Sequence, residues 1–230
     1  MVLRGNVAQH LGRVLRARSR DHIALFNGDG REFAATVVSV SKREVSVDIG
    51  EAHSPSTESQ VHTLLGLCLS KGDRFDWAIQ KATEMGVGAI APLHSERVDF
   101  NIPSDRVEKR VAHWQQIAIS ACEQCGRVKV PSITPPQSLA VWVENVLAEQ
   151  KWVLHCTEGT GVSASAVTQG APRDAALLIG PEGGLTDQEF DVASAEGFQQ
   201  LQLGPRVLRT ETAPAAALSV LSVFWGEMPS

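Results

Sequence analysis

This chain of 230 residues has little cysteine, no tyrosine and no long apolar run. No uninterrupted stretch reaches the roughly 18 apolar residues that a membrane-spanning helix needs. The four cysteines, at positions 68, 122, 125 and 156, are too few and too scattered for a disulfide framework, so free thiols in a reducing environment are expected. Cys122 and Cys125 share CxxC spacing, but no second pair follows, and they are expected to pack within or cap a helix rather than hold zinc. Seven histidines lie dispersed without HExxH or similar spacing, which leaves no metal site to expect. Tyrosine is absent, and the five tryptophans, 77, 114, 142, 152 and 225, sit mostly on apolar faces and read as core rather than as base-stacking platforms. The first twenty residues lack the apolar stretch of a secretory signal. The expected compartment is the cytoplasm. Internal repeats and low-complexity segments are missing too, which sets repeat architectures aside.

An excess of positive charge is also missing: the net charge is -5, which argues against coating nucleic acid by bulk electrostatics. The distribution is uneven, however. Arg4, Arg13, Arg16, Arg18 and Arg20 fall in the first twenty residues with no acidic residue among them, a pattern suited to phosphate contact. A helix with a solvated basic face would show the same pattern.

What is present is enough apolar material, 43% of residues, to bury a core in one large domain or two unequal ones. His22 to Gly50 reads as β structure: His22 to Phe26, the turn formers Asn27, Gly28, Asp29 and Gly30, then Phe33 to Val40 and Val45 to Ile49 with alternating apolar residues. A small antiparallel barrel would fit. Glu51 to Gln60 is polar and resembles a linker, placing a domain boundary near residue 60. Beyond it, apolar runs at Leu64 to Ser70, Ala89 to Leu93, Trp152 to Cys156, Ala176 to Gly180 and Leu201 to Gly204 alternate with helical patterns. The helices are expected at Asp73 to Met85, Asp105 to Cys125, Ser138 to Gln150, Thr186 to Glu196 and Pro214 to Trp225. That alternation is α/β with a parallel sheet, and Gly86 suits the end of the first helix.

Two strand-end loops carry the chemistry. Gly180-Pro181-Glu182-Gly183-Gly184-Leu185 follows an apolar strand and precedes a helix that Thr186 can cap, with Glu189 at capping-box spacing. Loops after strand C-termini of a parallel sheet line the ligand crevice, and glycines there permit close approach of backbone to a ligand; a tight structural turn is the alternative. The loop matches neither GxGxxG nor GxxxxGK[ST], so a dinucleotide or nucleoside triphosphate is not the expected ligand. The second loop, Leu203 to Ala213, also leaves a strand end and enters a helix with Pro214 in its first turn and Thr212 or Thr210 as cap. Capping does not require Arg206 and Arg209 beside Glu211, which suggests either a polar ligand or a surface salt bridge.

These two loops resemble the RsmE family of 16S rRNA uridine-N3 methyltransferases in the SPOUT superfamily. The similarity extends in order through His10 to Arg16, Gln80 to Gly86, Pro92 to Arg97 and Ala121 to Arg127, covering nearly the whole chain. The resemblance implies a PUA-like RNA-binding barrel over residues 1–60, a SPOUT domain over 61–230 with a parallel sheet and deep trefoil knot, a homodimer, and S-adenosylmethionine as cofactor. It implies cofactor contacts from Leu154, His155, Ile179, Gly180, Glu182, Gly183, Leu203, Gly204, Val207, Leu208, Thr210, Thr212 and Ala213. Glu182 is expected either to meet the ligand or to cap the following helix. Arg209 is the expected catalytic cation, with Glu211 orienting it or relaying a proton. RNA contacts are expected from Arg13, Arg16, Arg18, Arg97, Glu123, Gln124 and Arg127, and the substrate that the resemblance implies is 16S rRNA or the assembled small subunit. Relatives carry a longer segment before His10, including a first barrel strand, where this chain has nine residues; either the barrel opens differently or the sequence begins late, and reduced RNA affinity is expected. An assembly factor without turnover, or a SPOUT enzyme acting on another RNA base, would share much of this pattern.

Overall fold

The computed structural model describes residues 1–154, 162–163 and 170–227. The chain divides into two compact units, Met1–Glu58 and Ser59–Ser230.

In the first unit, β1 (Val2–Arg4), β2 (His22–Phe26), β3 (Glu32–Val40) and β4 (Glu44–His53) form an antiparallel sheet in the order β1-β4-β3-β2. A strand therefore lies within the nine residues before His10. Ala35 and Val37 of β3 and Val45 and Val47 of β4 point inward at period two and bury with Leu3, Ala8 and Leu11. The β2–β3 turn has Gly28 and Gly30 at φ 86 and 96, conformations that cost glycine least. Between them, the Arg31 guanidinium and the Asn27 amide hold the Asp29 carboxyl at about 2. Two expectations change in this unit. The polar stretch from Glu51 is not all linker, because Ala52 and His53 pair with Phe33 and Glu32; backbone pairing overrides side-chain polarity at an exposed strand end. The basic N-terminus is not one helix face, since helical structure covers only α1 (Gly5–Gln9) and a π-helical turn over His10–Val14, leaving Arg16, Arg18 and Arg20 beyond it.

The second unit is a parallel sheet between two layers of helices. Its elements are β5 (His62–Cys68), α2 (Arg74–Glu84), β6 (Ala89–His94), α3 (Ser104–Cys125), β7 (Ser132–Ile133), β8 (Gln137–Ser138), α4 (Leu139–Asn145), β9 (Gln150–Leu154), β10 (Val162–Ser163), β11 (Asp174–Ile179), α5 (Asp187–Ala195), β12 (Gln199–Gln202) and α6 (Thr212–Phe224). The strand order is β10-β12-β9-β11-β5-β6-β7, with β8 also on β6, and every pair is parallel. β11 reads as continuous apolar sequence because both its faces are covered. Leu177 and Ile179 bury with α2, α3 and α6, whereas Ala176 and Leu178 bury with α4 and α5, the two-residue period dividing the core between the layers. Gly66 of β5 is required by packing: a β-carbon there would stand 2.5 Å from the Trp142 ring.

Helix ends follow local chemistry. Gly86, at φ 88, ends α2, and the Val87 amide returns to the Ala82 carbonyl at 3.0 Å, the Schellman pattern. Thr186 and Glu189 form the expected capping box on α5. The helix expected at Ser138 to Gln150 stops at Asn145, because Gln150 enters β9 opposite Ala175. Four tryptophans are buried, but Trp77 is 42% exposed and leaves the expected core set. Cys122 and Cys125 do sit at the end of α3, and Cys68 is buried. No helix among the described residues is long and apolar enough to cross a membrane.

Candidate functional site

Three neighbouring strands end side by side. β9 closes at Leu154, opposite Ile179 at the end of β11, and β12 flanks β9 on its other side. The loops that leave β11 and β12 therefore emerge together at the carboxyl edge of the sheet, where ligands of open α/β folds bind. Between them lies a cavity of about 820 Å³, within the range of roughly 300–1,000 Å³ common for small-molecule sites.

The first wall is Gly180 to Leu185, and its glycines answer to internal packing. A β-carbon on Gly180 would press on Leu185 at 3.1 Å, and one on Gly183 would meet the Arg97 side chain at 3.4 Å. Gly184 has φ 72 and donates its amide to the Pro181 carbonyl at 2.8 Å. This qualifies the reading that the glycines serve ligand approach: the φ of Gly184 and the closeness of Leu185 to Gly180 already favour glycine at those two positions, whereas Gly183 meets Arg97 only at ordinary contact distance. Glu182 does not cap α5. Its carboxylate instead accepts from Arg74 Nη1 at 2.9 Å, so the capping alternative is corrected, the Thr186–Glu189 box having taken that position.

The second wall runs from Leu203 through Glu211. Leu154, Ile179, Leu203 and Leu208 give the cavity apolar surface, while Gly204, Thr210 and Ala213 border it. Val207 also borders it and is 80% exposed. Thr212 is exposed and lies outside the lining. Neither Thr210 nor Thr212 caps α6: Glu211 holds the cap position without a side-chain bond, and the amides of Thr212 and Ala213 donate to the Arg209 carbonyl at 2.9 and 3.0 Å. The Arg209 guanidinium is 81% exposed and 3.9 Å from the Glu211 carboxylate, itself only 15% exposed. A mostly buried acid thus stands beside a largely exposed cation, both bordering the cavity. His155 lies outside the described residues.

Profile and relatives agree on what such a chain is. Residues 57–222 match the family model for an RNA methyltransferase domain, and residues 3–50 match that for an RNA methyltransferase PUA domain. Ribosomal RNA small subunit methyltransferase E of Bacillus subtilis is 34% identical, the alignment covering 95% of this chain and 88% of that protein. Its namesake from Buchnera aphidicola of Acyrthosiphon pisum is 32% identical over 95% and 85%. The chain belongs to the ribosomal RNA small subunit methyltransferase E family. Two solved structures agree. A methyltransferase of Legionella pneumophila with bound SAM has a TM-score of 0.91 at 39% identity, covering 97% of this chain and 91% of that one. The Neisseria gonorrhoeae family member bound to S-adenosyl methionine scores 0.89 at 35% identity, covering 98% and 92%.

Set against a family of RNA methyltransferases, the expected RNA contacts divide. Arg13, Arg16 and Arg18 are exposed on the first unit, and Glu123 and Gln124 are exposed at the end of α3. Arg127 is corrected: it is 5% exposed, and its Nη1 donates to the carbonyls of Thr83 at 2.8 Å and Val87 at 3.0 Å. It is occupied with the end of α2. Sequence reading missed Arg74, Leu201 and Gln202 as cavity residues, and Arg97, expected on RNA, lines the same cavity. Arg74 had one usable signal, its place just after the end of β5, which neighbours β11 in the sheet. Among the described residues, no group of three or more His, Cys, Asp or Glu side chains is placed to hold a metal ion.

Proposed function

We propose that this chain methylates N3 of a uridine in 16S rRNA, using S-adenosylmethionine held in the cavity between the Gly180 and Leu203 loops. The observation that carries this reading is the shared cavity: two loops 23 residues apart in starting position, Gly180 and Leu203, wall one space at the ends of β11 and β12, the two strands that flank β9. The residues fit the cofactor. Leu154, Ile179, Leu203 and Leu208 suit the faces of a purine and its ribose, and the backbone of Ile179, Gly180, Leu203 and Leu208 supplies hydrogen-bonding groups at the same wall. Relatives at 35% and 39% identity were crystallised with this cofactor.

Bound there, the cofactor supplies an electrophilic methyl group. Uridine N3 keeps its proton near neutral pH, so the protein must favour its loss. Arg209 is the cation that does so. Placed against a uracil carbonyl oxygen, it stabilises the charge that appears as the proton leaves. Glu211, whose carboxylate stands 3.9 Å from Arg209 and is 15% exposed, either orients that guanidinium or accepts the N3 proton and passes it to solvent. Alignment of N3 with the methyl group supplies much of the remaining rate. Arg13, Arg16 and Arg18, together with Glu123 and Gln124, serve as RNA contacts, with residues 1–60 as the RNA-gripping domain and 61–230 as the catalytic one. A homodimer, a threaded knot around the cofactor loops and a cytoplasmic location belong to the same reading.

Two measurements test it. Calorimetry should detect S-adenosylmethionine binding to the purified chain. Nucleoside mass spectrometry of small-subunit rRNA from a deletion strain should show loss of 3-methyluridine. Loss of a different methylated nucleoside would reassign the base, and no cofactor binding would sink the enzymatic reading.

A further inference from the structure

The connection after β6 reaches the cofactor loop across the end of β5, which separates β6 from β11 in the sheet. Arg97 of that connection donates from Nη1 to the carbonyls of Gly183 at 2.7 Å and Leu185 at 3.3 Å. Its aliphatic stem lies where a β-carbon on Gly183 would come to 3.4 Å from its Cβ and Cδ. The preceding residue makes a parallel tie, the Glu96 amide donating to Glu189 Oε1 at 2.8 Å. Glu189 Oε2 in turn accepts from the Thr186 amide at 2.9 Å. The dipeptide Glu96–Arg97 therefore grips both the Gly-rich loop and the first turn of α5.

We propose that Arg97 is a positioning residue for the cofactor loop rather than an RNA contact. A loop with two adjacent glycines has unusual conformational freedom and needs outside restraint to keep one shape. Peptide planarity makes the restraint effective, because fixing the Gly183 and Leu185 carbonyls fixes the Gly184 and Thr186 amides of the same peptide planes. Those two amides are the ones already engaged, with the Pro181 carbonyl and with Glu189. A guanidinium holds the loop better than an ammonium would, since its planar fork presents donors in fixed directions. The inference rests on the cavity being the cofactor site.

The test compares Arg97→Ala and Arg97→Lys with the unmodified full-length chain. Loss of charge-assisted hydrogen bonds should weaken S-adenosylmethionine binding by about tenfold or more and raise KM for the cofactor, with kcat at saturating cofactor largely kept. Lysine, which keeps a cationic donor group but not the guanidinium geometry, should recover part of the affinity. Amide exchange at Gly184, Leu185 and Thr186 should quicken in Arg97→Ala while the rest of the sheet keeps its protection, which separates loop loosening from failure to fold. RNA affinity should keep its salt dependence, whereas loss of a phosphate contact lowers the log–log slope by about one. Unchanged cofactor affinity, unchanged exchange at those amides, or a reduced RNA salt slope overturns the proposal. Failure of the unmodified chain to bind cofactor overturns the cofactor reading instead, and the exchange measurement then still decides whether Arg97 holds the loop.

Discussion

Arg74 and Glu182 are 108 residues apart, yet the guanidinium of the first residue of α2 meets the carboxylate of the Gly-rich loop at 2.9 Å. The pair closes one rim of the cavity. Its side chains are 51% and 42% exposed, so solvent screens the attraction and the pair contributes at most about 1 kcal/mol to stability. Glu182→Ala should therefore leave the urea midpoint almost unchanged. Thr186→Ala, which removes the actual cap of α5, should cost about 1 kcal/mol. If Glu182→Ala proved the more damaging of the two, the assignment of the cap to Thr186 would be wrong.

Arg209→Ala should leave stability unaltered, because the guanidinium is 81% exposed and contributes little packing. Removal of a transition-state cation should nevertheless lower kcat by about 10²- to 10³-fold, while calorimetry still records cofactor binding. Near-normal turnover would exclude Arg209 from catalysis.

Arg127→Met tests the opposite kind of arginine. Its guanidinium is buried against the carbonyls of Thr83 and Val87, and loss of charge-assisted bonds to buried acceptors should cost about 1.5–3 kcal/mol. The denaturation midpoint should fall accordingly, with RNA binding measured on the folded fraction unaffected. A drop in RNA affinity at unchanged stability would restore Arg127 to the RNA surface.

Cys68 links stability to alkaline pH. Burial pushes its thiol from the ordinary 9.0 up to about 12, so the unfolded chain loses this proton first. The contribution to stability is complete below pH 9 and declines progressively as pH rises toward 12. Cys68→Ala should flatten that part of the stability profile. Peptide mapping after iodoacetamide at about pH 8, near the ordinary thiol range, should find Cys125, partly exposed, modified well before Cys68. Faster labelling of Cys68 in the native protein would contradict its burial.

Much of this could be read along the chain. Apolar periodicity located the five helices of the second unit and most of its strands, and the Gly180 and Leu203 loops announced themselves as strand-to-helix junctions. The misreadings have a common cause. β9, β11 and β12 each begin about two residues before their apolar runs, at Gln150, Asp174 and Gln199, since strand pairing is made by backbone groups and does not require an apolar side chain. The helix drawn through Gln150 failed for the same reason.

Local sequence thus determined the elements, the capping box at Thr186 and the two loops, because hydrophobic period, turn chemistry and capping act over a few residues. Tertiary structure alone decided that β12, β9 and β11 stand side by side, and so that the loops share one cavity. It also sorted the arginines, which are alike in sequence: Arg74 pairs across the rim, Arg97 holds loop carbonyls, Arg127 is buried and Arg209 stays exposed. The physical reason is that a guanidinium's role depends on which acceptors lie within hydrogen-bond distance, and those acceptors are supplied by strands and loops distant in sequence.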